Sequence, residues 1–474
     1  MVRSNPFCVF ARRGMMVGRN YEDAVVELNA LQSNAKVIAQ AKLEIAERRN
    51  NVHAELADLM KRSQIDVNDL NKLNVIHVAG TKGKGTSCAM TERLLRSKGY
   101  KTAFFSSPHL VDVTERIAIN GKPIEREVFA DNFFEIMDRL KKGHNLPGYF
   151  RMLTLVAFNY FIKEKVDVAI IEVGIGGAYD STNVVTKPRV CGISLLDYDH
   201  VSILGHTLPE IAFQKAGIMK EGSGCVTVEQ EPEAMEVLKK KAVDVKCDLT
   251  VAQKLDLSLI DKLNFSGPHQ LTNLGLALEM VRLWEGKEKI IEENEIISVF
   301  KDFVWAGRNQ RIEKKPFVFM LDGAHTPKSM EACVHWFKKS QKESDILDTS
   351  SVSILIFNCT GERKAETLMP CLKECKFDIA IFCTTMVADV LDQKASNSNF
   401  TVSKSDILKK CKENELVWSE LQPFCITKTF PTIQKTMSFI ENFKTTNPSV
   451  GEIKILVTGS LHLVGGVISL IEQQ

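Results

Sequence analysis

No stretch of this 474-residue chain is apolar over the ~20 residues that a bilayer-spanning helix needs, so no transmembrane segment is expected. Charge of one sign is lacking too. With 61 basic and 59 acidic side chains, the chain has no field that would favour nucleic acid or a membrane surface. Twelve cysteines are present, yet none forms a Cys-x2-Cys pair. Cys371 and Cys375 stand one helical turn apart with no His or further Cys at zinc-like spacing, so buried or free thiols in a reducing compartment are expected. Internal repeats are absent. Acid is missing before Glu22, whereas Arg3, Arg12, Arg13 and Arg19 are basic. Cys8, Val9 and Phe10 are too short an apolar patch for a secretory core, so residues 1–20 read as a mitochondrial presequence or a basic tail. Met15 and Met16 offer starts for a shorter, cytosolic product.

What is present begins with residues 74–86, Asn74-Val-Ile-His-Val-Ala-Gly-Thr-Lys-Gly-Lys-Gly-Thr86. A short apolar run breaks into a loop holding Gly80, Gly83 and Gly85, and Met90, Leu94 and Leu95 then recur at helical spacing from Thr86 to Ser97. Strand, glycine loop and helix are the context of a phosphate-binding loop. Glycines let backbone N–H groups turn toward an anion, and the helix start adds unpaired donors and the positive end of its dipole. Lys84 would bring a cation to the outer phosphates, and Thr86 a hydroxyl to Mg²⁺. Gly85 separates the two, so the usual Gly-x4-Gly-Lys-Ser/Thr spacing is not met.

The length predicts at least two domains, and the 44% apolar and 25% charged content is that of an ordinary globular chain. From Val75 to about Leu255, strand-like runs (Thr102 to Ser106, Val166 to Val173, Val190 to Leu196, Cys225 to Val228) alternate with helical patterns. The strand runs are continuously apolar, as in a parallel sheet covered by helices on both faces. After Trp305-Ala-Gly-Arg308 the alternation resumes, with strands at Phe317 to Leu321, Val352 to Phe357, Ile379 to Phe382 and Ile453 to Val457. The expected fold is α/β: a P-loop-containing parallel-sheet ATPase domain over 21–303, then a smaller, Rossmann-like domain over 304–474. Asp392 to Ser405 is polar and aperiodic and reads as a surface loop.

Chemistry-bearing residues gather at strand ends. Glu172 closes the run Val166-Asp-Val-Ala-Ile-Ile-Glu172 before a glycine turn, where a carboxylate is costly to bury unless paired or metal-bound. Asp199-His200 follows another apolar strand in the same way, which makes His200 a candidate metal ligand or a support for one. Thr207-Leu-Pro-Glu210 is a capping box opening a helix that carries Lys215. That lysine reads as a solvated face or, if buried beside metal ions, as an amine able to form a carbamate. Asp322 and His325 lie at a strand-to-helix turn, and Arg308 stands in the linker upstream; all three could reach a cleft between domains.

Gly80-Thr-Lys-Gly-Lys-Gly-Thr86, Ser106-Ser-Pro-His-Leu110, Glu172-Val-Gly-Ile-Gly-Gly177, Asp199-His200, Gln214-Lys-Ala-Gly-Ile218, His269-Gln-x-x-Asn273, Gly307-Arg308 and Asp322-Gly-Ala-His325 occur in the order found in folylpolyglutamate synthases. The chain resembles that family, relatives of the Mur ligases, from about Tyr21 to its end. Val457-Thr-Gly-Ser-Leu-His-Leu-Val-Gly-Gly466 is similar to the family's closing strand and loop. Ala306 replaces a common Pro, Pro268 a common acid, and Thr326 an Asn found in many bacterial members. The resemblance implies an amide-forming (C–N) ligase that uses ATP, L-glutamate and tetrahydrofolate or its polyglutamates, through an acyl phosphate. It implies catalytic roles for Lys84, Glu172, His200 and Lys215. Nucleotide contacts would come from Gly80, Thr81, Lys82, Gly83, Lys84, Gly85, Thr86, Asn273, Arg308, Asp322 and His325. Mg²⁺ would be held by Thr86, Ser107, Glu172, His200 and a carbamylated Lys215, with a monovalent cation also allowed. A monomer in the mitochondrial matrix and the cytoplasm is expected, without nucleic-acid partners. A dihydrofolate synthase of the same architecture is the nearest rival, and a non-catalytic nucleotide switch the rival from another class.

Overall fold

The structure, a computed structural model, describes residues 19–32, 45–142, 145–263, 265, 267–286, 291–345, 351–359, 363–389 and 404–472. Residues 1–18 of the expected leader lie outside the described residues, as do 392–403 of the expected polar loop; Lys404 and Ser405 open a helix, Lys404–Leu421. Arg19 and Asn20 belong to the fold rather than to a free tail. Arg19 grips both oxygens of Asp138 at 2.8 and 2.7 Å, and Asn20 caps the helix Tyr21–Ala30 through a capping box.

Two sheets organise the chain. The first is built from β1 (Ile76–Ala79), β2 (Thr102–Phe105), β3 (Ile117–Ile119), β4 (Lys122–Pro123), β5 (Val168–Glu172), β6 (Val190–Ile193), β7 (Gly224–Thr227) and β8 (Asp248–Val251). Their order is β4-β3-β2-β5-β1-β6-β7-β8, antiparallel only at the β4-β3-β2 edge. Strands β1, β2, β5 and β6 are buried throughout, which explains their unbroken apolar runs. Apolar clusters lie on both faces: Phe129, Phe133 and Phe158 pack on one side, and Met90, Leu94 and Met280 on the other. The chain visits β2 and β5 on one side of β1 and then crosses to β6 on the other. That reversal places a crevice at the carboxyl ends of β1, β5 and β6.

The second sheet contains β9 (Gln310–Lys314), β10 (Phe317–Leu321), β11 (Val352–Phe357), β12 (Ile379–Cys383), β13 (Ile426–Phe430) and β14 (Ile453–Thr458). Its order is β13-β12-β11-β14-β10-β9, parallel except for β9. The edge strands β4, β8, β9 and β13 carry no apolar run to mark them; β9 and β13 hold only exposed and half-buried residues. The two halves meet where the loop after β2 enters the second core. Leu110 packs with Leu321, Val464 and Val467. Gly465, in the helix Leu461–Glu472, lies so close that a Cβ there would stand 2.0 Å from the Leu110 carbonyl oxygen. The described cysteines are free thiols, and among the described residues no helix is long and apolar enough to cross a membrane.

Candidate functional site

The glycine loop after β1 ends at Gly83, which takes φ +83° as the cap of the helix Lys84–Ser97. The helix thus starts two residues earlier than the apolar spacing indicates. A side chain at Gly83 would be strained in this left-handed conformation and would meet the Asn273 amide, its Cβ 2.0 Å from Oδ1. The amides of Thr81 and Lys82 both donate to the Leu195 carbonyl at 3.0 Å, pinning the first half of the loop to the segment after β6. Among the described residues, nothing accepts from the amides of Gly83, Lys84, Gly85 and Thr86. Four consecutive free donors at a helix start form an anion cradle.

Two lysines converge on the Gly80 carbonyl. Lys84 Nζ donates to it at 3.0 Å, folding back over the loop, and Lys215 Nζ donates at 2.7 Å from the helix Leu208–Ala216. Lys215 is 3% exposed, so the solvated reading of this residue is wrong. Burial, with Lys84 next in effect, holds its amine well below the usual lysine range. The capping box at Thr207 and Glu210 is formed as its spacing indicates.

Glu172, at the end of β5, is 4% exposed and accepts the Ser107 amide at 2.9 Å. It lies against Gly85, its Oε2 being 3.4 Å from where a Cβ would stand. Burial pushes its carboxyl up, while Lys84, the Ser107 amide, Arg308 and Arg116 oppose that rise. Lys84, Ser107, Glu172 and Arg308 therefore share one electrostatic site although they lie far apart in the chain. His200 adopts φ +50° and opens the short helix Val201–Leu204. Burial pushes its imidazole down against the pull of Asp199, and Lys84 and Lys215 add to the fall.

Asp199 links the halves. It lies 3.6 Å from Lys82 Nζ in the phosphate loop and 3.7 Å from His325 Nε2 in the second half. The other His325 nitrogen, Nδ1, donates to the Gly323 carbonyl at 2.6 Å. Both ring nitrogens thus face oxygens, which only the imidazolium would fully satisfy. Burial wins instead and pushes His325 down to about 4, because the Asp199 contact is too long to repay a buried charge. Asp322 accepts the amides of Asn309 and Ala324, each at 2.8 Å, and so ties the linker carrying Arg308 to the end of β10. Burial pushes its carboxyl up, opposed first by Arg308.

Every residue expected from the sequence to bind nucleotide or metal lies at or beside this crevice. Arg116 and Arg363 lie in no motif read from the sequence, whereas His462 falls within the closing segment Val457–Gly466; the field of Arg363 acts on His200, His325 and His462.

No family model matches the chain. Among solved structures, the chain superposes on a Mycobacterium tuberculosis folylpolyglutamate synthase complexed with ADP with TM-score 0.71, at 21% identity over 96% of this chain and 99% of that one. It superposes on E. coli FolC in complex with DHPP and ADP with TM-score 0.63, at 22% identity over 89% and 98%. These likenesses establish the fold. Curated relatives are nearer: the mitochondrial folylpolyglutamate synthase of Bos taurus is 37% identical over 95% of this chain and 92% of its own length. The folylpolyglutamate synthase of Arabidopsis thaliana is 35% identical over 96% and 89%. With such identity sustained along nearly the whole length of both partners, the chain belongs to the folylpolyglutamate synthase family.

Proposed function

We propose that this chain is an ATP-dependent ligase adding L-glutamate to the γ-carboxylate of tetrahydrofolate and its polyglutamates, releasing ADP and phosphate. One observation carries the reading: the four free amides of Gly83 to Thr86 and the Lys84 ammonium stand beside the buried Glu172–Ser107 pair. That arrangement supports a polyphosphate cradle next to a carboxylate at strand ends, facing Arg308, Asp322 and His325 from the second half.

A carboxylate resists attack by an amine until one oxygen becomes a good leaving group. Transfer of the ATP γ-phosphoryl group to the folate γ-carboxylate provides it, and the incoming α-amine then displaces phosphate. The amides and Lys84 would neutralise charge on the moving group. Asn273 would close over the Gly83 end of the cradle, and Arg308 would reach the outer phosphates from the linker. Asp322 would act through position, since its oxygens are occupied by the Asn309 and Ala324 amides. Docking of the two halves would exclude water that would hydrolyse the acyl phosphate.

Among the described residues no group of three or more His, Cys, Asp or Glu side chains is arranged to hold a metal ion. The donors at hand are one carboxylate, one imidazole and two hydroxyls: Glu172, His200, Ser107 and Thr86. That set suits Mg²⁺, which keeps waters and takes phosphate oxygens, and a Lys215 carbamate would add a second anion. Bound there, Mg²⁺ would offset phosphoryl charge. The Gly80 carbonyl already accepts from two lysines, so a monovalent cation would have to bind elsewhere. We place the boundary between the domains near residue 304, and expect a monomer. The mitochondrial naming of the Bos taurus relative supports a mitochondrial form, and Met15 or Met16 could start a cytosolic one. Mg-ATP, labelled glutamate and tetrahydrofolate should yield labelled, lengthened folate with matching ADP. Labelling with dihydropteroate alone would point to a dihydrofolate synthase, and ADP release with neither acceptor to a switch.

A further inference from the structure

Arg116 is 8% exposed and ends the 3₁₀ turn Val113–Arg116. Its Nε donates to His109 Nδ1 at 2.8 Å, and its guanidinium lies 5.5 Å above the Tyr149 ring. The adjacent Glu115 does not pair with it; that carboxylate accepts the amides of Leu110, Val111 and Asp112 at 2.8, 2.9 and 2.7 Å. Among the described residues, no carboxylate stands within ion-pair distance of Arg116, and neither terminal nitrogen has a hydrogen-bond partner. A guanidinium so buried is expensive unless an anion meets it. Its field acts on both Glu172 and His462, which sets it near the end of β5 and the helix Leu461–Glu472.

We propose that Arg116 binds the α-carboxylate of the terminal glutamate of the folate acceptor, an inference that rests on the ligase reading above. Two terminal nitrogens, with Nε fixed by His109 and the plane set by Tyr149, present the parallel donors that match a carboxylate. The γ-carboxylate is the less suitable occupant. A fork bonded to the reacting oxygens would weaken them as nucleophiles toward the γ-phosphoryl group near Lys84. The α-carboxylate, two methylenes away, does not react and can stay bound through both steps. Interactions of equal strength in ground and transition states act on KM rather than kcat. They also separate a glutamyl folate from an acceptor with a single terminal carboxylate, because that acceptor leaves the buried cation unpaired.

The test uses the full-length chain with tetrahydrofolate and with an analogue whose terminal glutamate is replaced by γ-aminobutyrate, so that only the α-carboxylate is missing. For the wild type, the analogue should show a KM raised roughly 10- to 100-fold, the range for losing hydrogen bonds to a charged group. Arg116→Gln should raise the KM for tetrahydrofolate by a similar factor and leave that for the analogue unmoved. Arg116→Lys should recover part of the loss. Equal KM increases for both acceptors in Arg116→Gln, or a fall in kcat alone, would overturn the assignment. If Arg116→Gln proves unfolded in a thermal melt, the wild-type comparison decides, and equal KM values for the two acceptors would refute the proposal. A wild-type chain that lengthens no folate at all would refute the ligase reading itself, and this inference with it.

Discussion

Gly465→Ala adds one methyl group where the two halves of the molecule touch. Its carbon would stand 2.0 Å from the Leu110 carbonyl oxygen, 2.6 Å from the carbonyl carbon and 2.9 Å from Cα, all backbone atoms without a rotamer to yield. The helix Leu461–Glu472 and the loop after β2 must therefore part by more than 1 Å to reach the 3.4 Å of ordinary contact. Two effects oppose each other. Alanine in a helix interior gains about 0.5–1 kcal/mol over glycine. Overpacking costs about 1–3 kcal/mol, and a backbone obstacle belongs at the upper end. The net expectation is a loss of about 1–2 kcal/mol. The loop cannot retreat alone: Ser107 N is bonded to Glu172 and Leu110 N to Glu115. Displacing it moves the backbone that orients Glu172, and a 1 Å misplacement can cost about 100-fold in rate. Denaturant unfolding and steady-state kinetics for ATP, folate and glutamate read the two effects separately. A variant more stable than wild type with unchanged kcat/KM would show that this contact neither limits packing nor positions the site.

Lys84→Ala should fold normally, with unfolding transitions close to wild type, and lose at least about 100-fold in ligation; near-wild-type turnover would remove Lys84 from the chemistry. Glu172→Ala should lose activity that excess Mg²⁺ partly restores, whereas a drop in thermal stability with no Mg²⁺ response would make Glu172 a structural carboxylate. If Lys215 forms a carbamate, activity should fall in CO2-depleted buffer and return with bicarbonate, and Lys215→Arg should show no such response. His77 offers a pH test. The Thr182 hydroxyl donates to Asp180 at 2.6 Å, so His77 Nε2 donates to Thr182, and burial pushes the imidazole down to about 3. Because the folded value lies below the unfolded one near 6.5, its contribution is complete above pH 6.5. It is lost as pH falls toward 3, at up to a few kcal/mol. His77→Gln should flatten that part of the stability–pH curve, and an unchanged slope would contradict the burial argument.

The central strands were legible in the sequence because burial on both faces leaves unbroken apolar runs, as in β5 and β14. Edge strands such as β8 and β13 were not, since partial exposure breaks the pattern. Phosphate-loop chemistry could be read from glycines and lysines within a few residues of each other. Lys215 could not be resolved from its helix alone, because its burial depends on packing against Gly80, more than a hundred residues earlier. Arg116 was silent for the same reason: only the fold shows that Glu115 is occupied and that the guanidinium stands near Glu172 and His462.

The most direct measurement follows labelled L-glutamate into folate with purified chain, Mg-ATP and tetrahydrofolate. The account predicts label in a lengthened γ-glutamyl tail, with one ADP formed for each glutamate added. ADP release without labelled folate, or label appearing only when dihydropteroate is the acceptor, would contradict it.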